Sequence, residues 1–523
     1  MEMAVSHSQS EIRGLNNSIY KIALYKITED RVFFRIFSLV TCIKLLLIPT
    51  YYSTDFEVHR NWLAITHSLA VHEWYTSEKS QWTLDYPPLF AWFEYFLSQF
   101  AVFIDDEMLK VDNINYTSCN TIVFQRTSVI IADFFLAIGV REIGKVFLDS
   151  AERFFILSFL SLANVGLLIV DHVHFQYNGF FLGILLYSLA KVSKFTKKGN
   201  VLKGAAWFAI LVNLKHIYVY VAPAYAVWLL RWCHKSNLFL RRIIKLGFIV
   251  LSVFAFSFWP FRTQMFQVSS RLFPFKRGLL HAYWAANIWA LYAAFDKVLS
   301  LFWKNRGWLH EDNQAKLTGG LVRMQSFSVL PTPSPLATFI ITVLTMLPIL
   351  WSLFFKPNSA IEKYFLKCLV VCGLSSFIFG WHVHEKAILT SVIPLSVLAA
   401  VDSYDARIFI ILSSAGTTAL FPLLHPTDLT PLKIFLFLFY TILGSAFLIE
   451  QYKQCLLKIH EWSYVVILLL LILYQSGVHE FLFGDKLPFL PLAMTSVYCS
   501  LGVNYSFLLY YSSNVSPDPA KHK

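Results

Sequence analysis

Long apolar runs recur from one end of this chain to the other, and no other feature limits its possible folds as strongly. Roughly 20 apolar residues cross the hydrocarbon core of a bilayer, because a helix rises about 1.5 Å per residue. Candidate segments lie near 32–52, 86–104, 121–146, 153–171, 177–193, 202–230, 243–260, 280–302, 336–355, 364–381, 387–401, 407–424, 431–449, 463–482 and 488–511. Of the 523 residues 56% are hydrophobic and only 15% charged, whereas about 25% charge is usual in soluble domains. That balance excludes an ordinary water-soluble fold. The expected class is an all-α polytopic membrane protein with about 11 to 14 spans.

No period of roughly 20–50 residues and no low-complexity linker divides the chain, so 32–511 reads as one membrane domain between tails at 1–31 and 512–523. The first apolar segment follows a polar stretch and carries no small-residue cleavage site, so it is expected to be a retained anchor. The formal charge of +12 does not point to nucleic acid, because the basic residues sit in short clusters between apolar runs. Lys194, Lys197, Lys198 and Lys203 form one cluster, and Arg231, Lys235, Arg241, Arg242 and Lys245 another. Such loops stay in the cytosol, which places 172–178 and 262–279 on the opposite side, with a break near Lys215 and His216. The seven cysteines are scattered and no disulfide is expected.

The segment 53–85 is too polar to cross and is expected to face the lumen after the first span. An even number of crossings must then separate it from 172–178. Three apolar runs intervene, at 86–104, 121–146 and 153–171, so one of them must fall short. Glycosylation of Asn115, in the sequon Asn115-Tyr116-Thr117, would place the 105–120 loop in the lumen.

Four polar clusters are candidates for chemistry. Asp55, Glu57, His59 and Arg60 directly follow the first span, where an aspartate at the mouth of a cavity suits a general base and an ordinary interfacial loop is the plainer reading. Asp85 precedes Pro87 and Pro88, where it is expected to cap the next helix, with a share in shaping a site as the second reading. His174, Gln176, Tyr177 and Asn178 lie between apolar runs, offering donors and acceptors for sugar hydroxyls or a phosphate; a polar turn is the alternative. His382, His384 and Lys386 crowd around Glu385 and could neutralise a phosphate. His-x-His also permits a metal, although Lys386 beside it favours an anion. Further basic candidates for phosphate are Lys215, Arg271, Lys276 and Arg277, for which headgroup contact is equally suitable. No G-x-G-x-x-G, Walker loop, H-E-x-x-H or D-x-D is present, so a cytosolic nucleotide site has no support.

The ordered set T-D-F-E-V-H-R-N-W at 54–62, W-T-L-D-Y-P-P at 82–88, D-H-V-H-F-Q-Y-N-G at 171–179, R-L-F-P-F-K-R-G at 271–278 and H-V-H-E-K at 382–386 resembles the dolichyl-phosphate-glucose-dependent α-1,3-glucosyltransferases, multispanning enzymes of the GT-C fold. The resemblance covers most of 32–511. It implies an endoplasmic-reticulum membrane enzyme of N-glycan precursor assembly with its site on the luminal face, dolichyl phosphate glucose as donor, and a dolichyl-pyrophosphate-linked oligosaccharide as acceptor. It further implies inversion by single displacement with Asp55 as catalytic base, and neither metal nor other cofactor. S-T-D-F-E-V-H-R-N-W-L-A-I-T-H-S-L and H-A-Y-W at 281–284 are similar to the members that add the second glucose, to Glc1Man9GlcNAc2; the sister members add the first, to Man9GlcNAc2. The second-glucose pattern often has proline where Ala286 stands. Composition alone leaves a lipid-linked-sugar flippase as the alternative of another class. A flippase, however, gives no reason for a long acidic and aromatic loop after the first span.

Overall fold

A computed structural model describes residues 30–194, 198–273, 277–281, 283–308, 327–357, 361–424 and 426–515; among the described residues all regular structure is helical. The amino-terminal half comprises α1 over 30–46, α2 (Thr54–Ser68), α3 (Pro88–Ala101), α4 (Cys119–Phe147), α5 (Ala151–Phe175) and α6 (Asn178–Val192). Among the described residues eight helices are long and apolar enough to cross a membrane, including α4, α5 and Phe239–Leu272. Other expected crossings fall on shorter apolar helices such as α6 and Asn200–Leu214, or on Ile361–Phe379, whose Glu362, Lys363 and Lys367 dilute its apolar character.

The crossing count is explained by α3. Its 14 residues extend about 21 Å, well short of a hydrocarbon core about 30 Å thick. The segment after it also stays with α2. Arg60 Nη1 donates to the Met108 carbonyl at 2.8 Å, and Ser68 Oγ to the Leu109 carbonyl at 2.8 Å. Loop 105–116 therefore packs against α2 on one side of the molecule, and α4 and α5 supply the even pair of crossings. The first polar segment is largely a helix. Its charged groups are buried in pairs: Glu57 takes two 2.7 Å bonds from Arg60, and His59 Nδ1 lies 2.6 Å from Glu94 Oε1 of α3.

Burial separates the core from the lipid-facing shell. Nearly all of the apolar stretch of α5 is enclosed by other helices, whereas Phe239–Leu272 shows Phe248, Leu251, Phe256 and Phe266 to the outside. Such a surface would promote aggregation in water and is at home among acyl chains. Where α4 and α6 cross, a Cβ on Gly139 would lie 2.3 Å from the Gly183 carbonyl oxygen. Only a hydrogen there lets the two backbones approach, the small-residue packing common between membrane helices. The seven cysteines are unpaired.

Asn115 is exposed in its sequon beside α2. Expression in a glycosylating membrane system should give one glycan removable by endoglycosidase, and Asn115→Gln should abolish the mobility shift. A bare Asn115 with glycan at an engineered sequon between 194 and 203 would reverse the assigned orientation.

Candidate active site

Three elements distant in sequence bring the polar clusters together, beginning at the end of α5. Its last two turns, Leu168–Phe175, widen into a π-helix, and Phe175 ends it at a φ of 93°, a region costly for a bulky side chain. That geometry is held from outside. Arg126 of α4 donates to the His172 and Val173 carbonyls at 2.7 and 2.8 Å and to the Tyr51 carbonyl at 2.9 Å. The Phe175 ring packs against Phe56 and Tyr177.

Ser53 then joins this end to α2. Its hydroxyl donates to the His174 carbonyl while accepting the Asp55 backbone N–H at 3.1 Å, so the N-cap of α2 is fastened to the π-helix. Asp55, two residues on, is thereby set beside His174.

The third element is the 380–388 turn. His382 adopts a φ of 49°; its N–H donates to the Leu279 carbonyl at 3.1 Å, and Trp381 Nε1 donates to the Arg277 carbonyl at 3.1 Å. His281 Nδ1 lies 3.2 Å from one Glu385 oxygen and His384 Nδ1 3.3 Å from the other. These donor atoms fall within 4.8 Å of one another, which gives them the chemistry of a cation site as well. In the pairing present, two imidazoles clamp one carboxylate and fix the backbone from which Lys386 projects.

At the junction, Lys386 Nζ lies 2.6 Å from Asp55 Oδ2 and 3.0 Å from His174 Nε2. His174 Nε2 also lies 3.1 Å from Asp55 Oδ2, so the ring accepts from Lys386 or donates to Asp55 according to which nitrogen carries the proton. Gln176 Nε2 donates to the same Oδ2 at 2.6 Å. Asp55 Oδ1 has no hydrogen-bond partner among the described residues, and the side chain is 25% exposed. One oxygen is held by three groups and the other is open. Burial pushes the Asp55 carboxyl up, but the Lys386 ammonium and then His174 outweigh it and hold it well below the usual carboxylate range.

Behind this junction is a buttress. Gln176 Oε1 accepts from Asn178 Nδ2 at 2.9 Å, and Lys215 Nζ donates to Asn178 Oδ1 at 2.9 Å while lying over the Tyr86 ring. Asp171 accepts from Asn178 Nδ2 at 2.8 Å and from the Gly179 N–H at 2.6 Å. Asp133 pairs with His172 at 2.7 Å and Lys44 at 2.6 Å. A Cβ on Gly179 would fall 2.1 Å from Asp133 Oδ1, so glycine is required where these carboxylates converge.

Asp55, His174, Gln176, Asn178, Lys215 and Lys386 are thus gathered as one network. Glu57 and Arg60 are not part of it, since they pair with each other and with loop 105–116. Tyr177 is buried, and its hydroxyl meets Ser128 Oγ at 2.7 Å within the aromatic core. Arg271 donates to the Ser77 carbonyl at 3.2 Å, tying helix Met265–Leu272 to the 69–87 loop. His382 Nδ1 lies 2.7 Å from the Gly278 carbonyl and serves the turn, His384 is partly exposed beside Glu385, and Lys276 lies outside the described residues. Asp85 is not a helix cap: Pro87 is the N-cap of α3 and no side chain caps it, because two prolines leave fewer N–H groups to satisfy. Lys44, Asp133, Asp171, His281 and Glu385 were missed as members of the site. Charges inside apolar runs were the available signal for Lys44 and Asp133.

A multispanning protein with a half-open carboxylate gripped by a lysine has the layout of a membrane-embedded enzyme working by acid–base chemistry. The profile of the ALG6, ALG8 glycosyltransferase family matches residues 40–510, and the chain belongs to that family. It is 48% identical to the dolichyl pyrophosphate Glc1Man9GlcNAc2 alpha-1,3-glucosyltransferase of Bos taurus, over 92% of this chain and 96% of that protein. The protein of that name from Arabidopsis thaliana is 41% identical, over 92% and 97% of the two chains. A probable enzyme of the same name from Drosophila melanogaster is 47% identical, over 92% and 94%.

Asp85 supplies a pH signature. Burial pushes its carboxyl up to about 6, the Arg277 guanidinium pulling against that rise and the Asp55 charge adding to it. A raised carboxylate pKa means the charged form accumulates only as pH climbs through about 6. The pH profile of glycosyl transfer should therefore rise through that region in the wild type and lose this limb in Asp85→Asn. An unchanged limb in the folded variant would remove Asp85 from the site.

Proposed function

We propose that this enzyme transfers glucose from dolichyl phosphate glucose to dolichyl-pyrophosphate-linked Glc1Man9GlcNAc2. It forms the α-1,3 linkage of the second glucose at the luminal face of the endoplasmic reticulum membrane. The observation that carries the reading is Asp55, with Oδ2 held by Lys386 and Gln176 and Oδ1 open. The choice of acceptor is supported by the names of the relatives, among them those at 48% and 41% identity.

A β-linked donor and an α-linked product call for one inverting displacement. The acceptor's 3-hydroxyl oxygen attacks the anomeric carbon and its proton passes to Asp55 Oδ1. The bond from that carbon to the phosphate oxygen breaks, and its electron pair leaves with dolichyl phosphate. The donor phosphate is a diester with one negative charge, and the departing monoester carries more. A lysine at that oxygen is therefore worth most in the transition state, where charge is developing. A phosphate leaves without protonation, so one base suffices and a second carboxylic acid is unnecessary.

Lys386 is the central phosphate ligand, with His384 and Arg277 flanking it. His174, Gln176, Asn178 and Lys215 orient the base, and Asp85 accepts hydrogen bonds from sugar hydroxyls. The reaction as proposed uses no metal and no cofactor. A general base contributes roughly 10²- to 10⁴-fold, so Asp55→Asn should lower kcat by about that factor while donor binding persists.

The deciding experiment is transfer by purified protein to Man9GlcNAc2 and Glc1Man9GlcNAc2 lipid acceptors, with and without chelator and beside Asp55→Asn. Glucose added only to the second acceptor, lost in the variant and indifferent to chelator, is the expected outcome. Transfer to the first acceptor would make this the first-glucose enzyme. Loss with chelator would assign a metal to His281, His384 and Glu385, and donor binding without transfer would favour a flippase.

A further inference from the structure

Lys386 faces two claims at once. In the structure its ammonium is the counter-ion of Asp55, at 2.6 Å, and is 7% exposed, so no surrounding water substitutes for that contact. In the proposed reaction the same ammonium meets the donor phosphate. A carboxylate so tightly paired is a weak base, because the interaction that stabilises its charge must be given up when it takes a proton.

We propose that the donor itself switches on the base: its phosphate draws Lys386 away from Asp55, and only the donor complex holds a carboxylate able to deprotonate the acceptor. This deepens the function proposed above and rests on it. Two features make the exchange feasible. Lys386 projects from a turn whose backbone is fixed by Glu385 between His281 and His384, so its side chain can swing without moving the turn. Gln176 Nε2 and the Ser53 hydroxyl continue to orient the Asp55 segment after Lys386 departs.

The other groups around Asp55 do not replace the lost cation. His174 Nε2, 3.1 Å from Asp55 Oδ2, can offer one imidazole hydrogen bond, which does not replace the charge of an ammonium, and Tyr51, Tyr86 and Tyr283 are neutral. Asp85 and the incoming phosphate are negative, and both raise the proton affinity of Asp55. The Lys215 ammonium is engaged by Asn178 at 2.9 Å. The consequence is an ordered reaction in which acceptor bound alone meets a silent base. Without donor, neither water nor a sugar hydroxyl is activated.

The test needs neither acceptor nor turnover. Short-chain polyprenyl phosphate glucose, a diester that does not titrate near neutrality, is bound to the purified full-length protein by calorimetry in two buffers of different ionisation enthalpy. A carboxylate whose proton affinity rises on binding takes up protons, so uptake should grow as pH falls from neutrality toward the carboxylate range. Asp85 itself titrates at about 6, so Asp85→Asn is the background throughout; there uptake should vanish with Asp55→Asn and shrink with Lys386→Met at saturating donor, where only the phosphate charge is new. Uptake unchanged with Asp55→Asn, or no uptake in the Asp85→Asn background when it binds donor, would overturn the switch. Failure to bind the donor at all would instead reject the proposed function. Asn is nearly isosteric with Asp, and a wild-type melting temperature for that variant separates loss of titration from loss of fold.

Discussion

The arrangement depends on a single ion pair between residues 331 positions apart, Asp55 at the start of α2 and Lys386 after Ile361–Phe379. Each charge offsets the desolvation of the other, and each accounts for the position of the other. Most of the polar architecture exists to bring the two ends to the same point. Arg126 holds the end of α5, Ser53 fastens α2 to it, and Glu385 between two histidines aims Lys386. The helices around these groups supply an apolar enclosure in which so few polar contacts have large effects.

Much of the fold was legible because its signal is long-range and redundant: a run of some 20 apolar residues survives a misplaced boundary. The parity conflict was itself information, and it came down to α3, whose 14 residues look like a span in a hydropathy window and are too short in ångströms.

The site was legible where charge density was anomalous, as in 54–60, 171–178 and 382–386. What pattern could not supply was direction. Glu57 and Asp55 are two residues apart, yet one turns into a bidentate pair with Arg60 and the other toward Lys386. Tyr177 and Asn178 are neighbours, and one points into the aromatic core while the other supports Gln176. Asp85 read as a helix cap because its local sequence fits one, and only the placement of Pro87 shows that it is spare. Lys44 and Asp133 were lone charges in separate spans, and nothing local identifies each as the partner of the other.

The one-sided grip on Asp55 also bears on the handedness of the product. With Oδ2 held by Gln176, and by Lys386 until donor arrives, the carboxylate keeps Oδ1 as its open oxygen. In the proposed reaction the direction from which an incoming hydroxyl loses its proton is therefore set by the scaffold, and Lys386 marks the opposite flank as the exit for phosphate. A sugar lying between the two can be approached from one face only. In that reaction a hydrogen-bonded oxygen that never touches the substrate keeps the base on the face opposite the departing phosphate, and a looser carboxylate would meet the acceptor hydroxyl less often in that orientation.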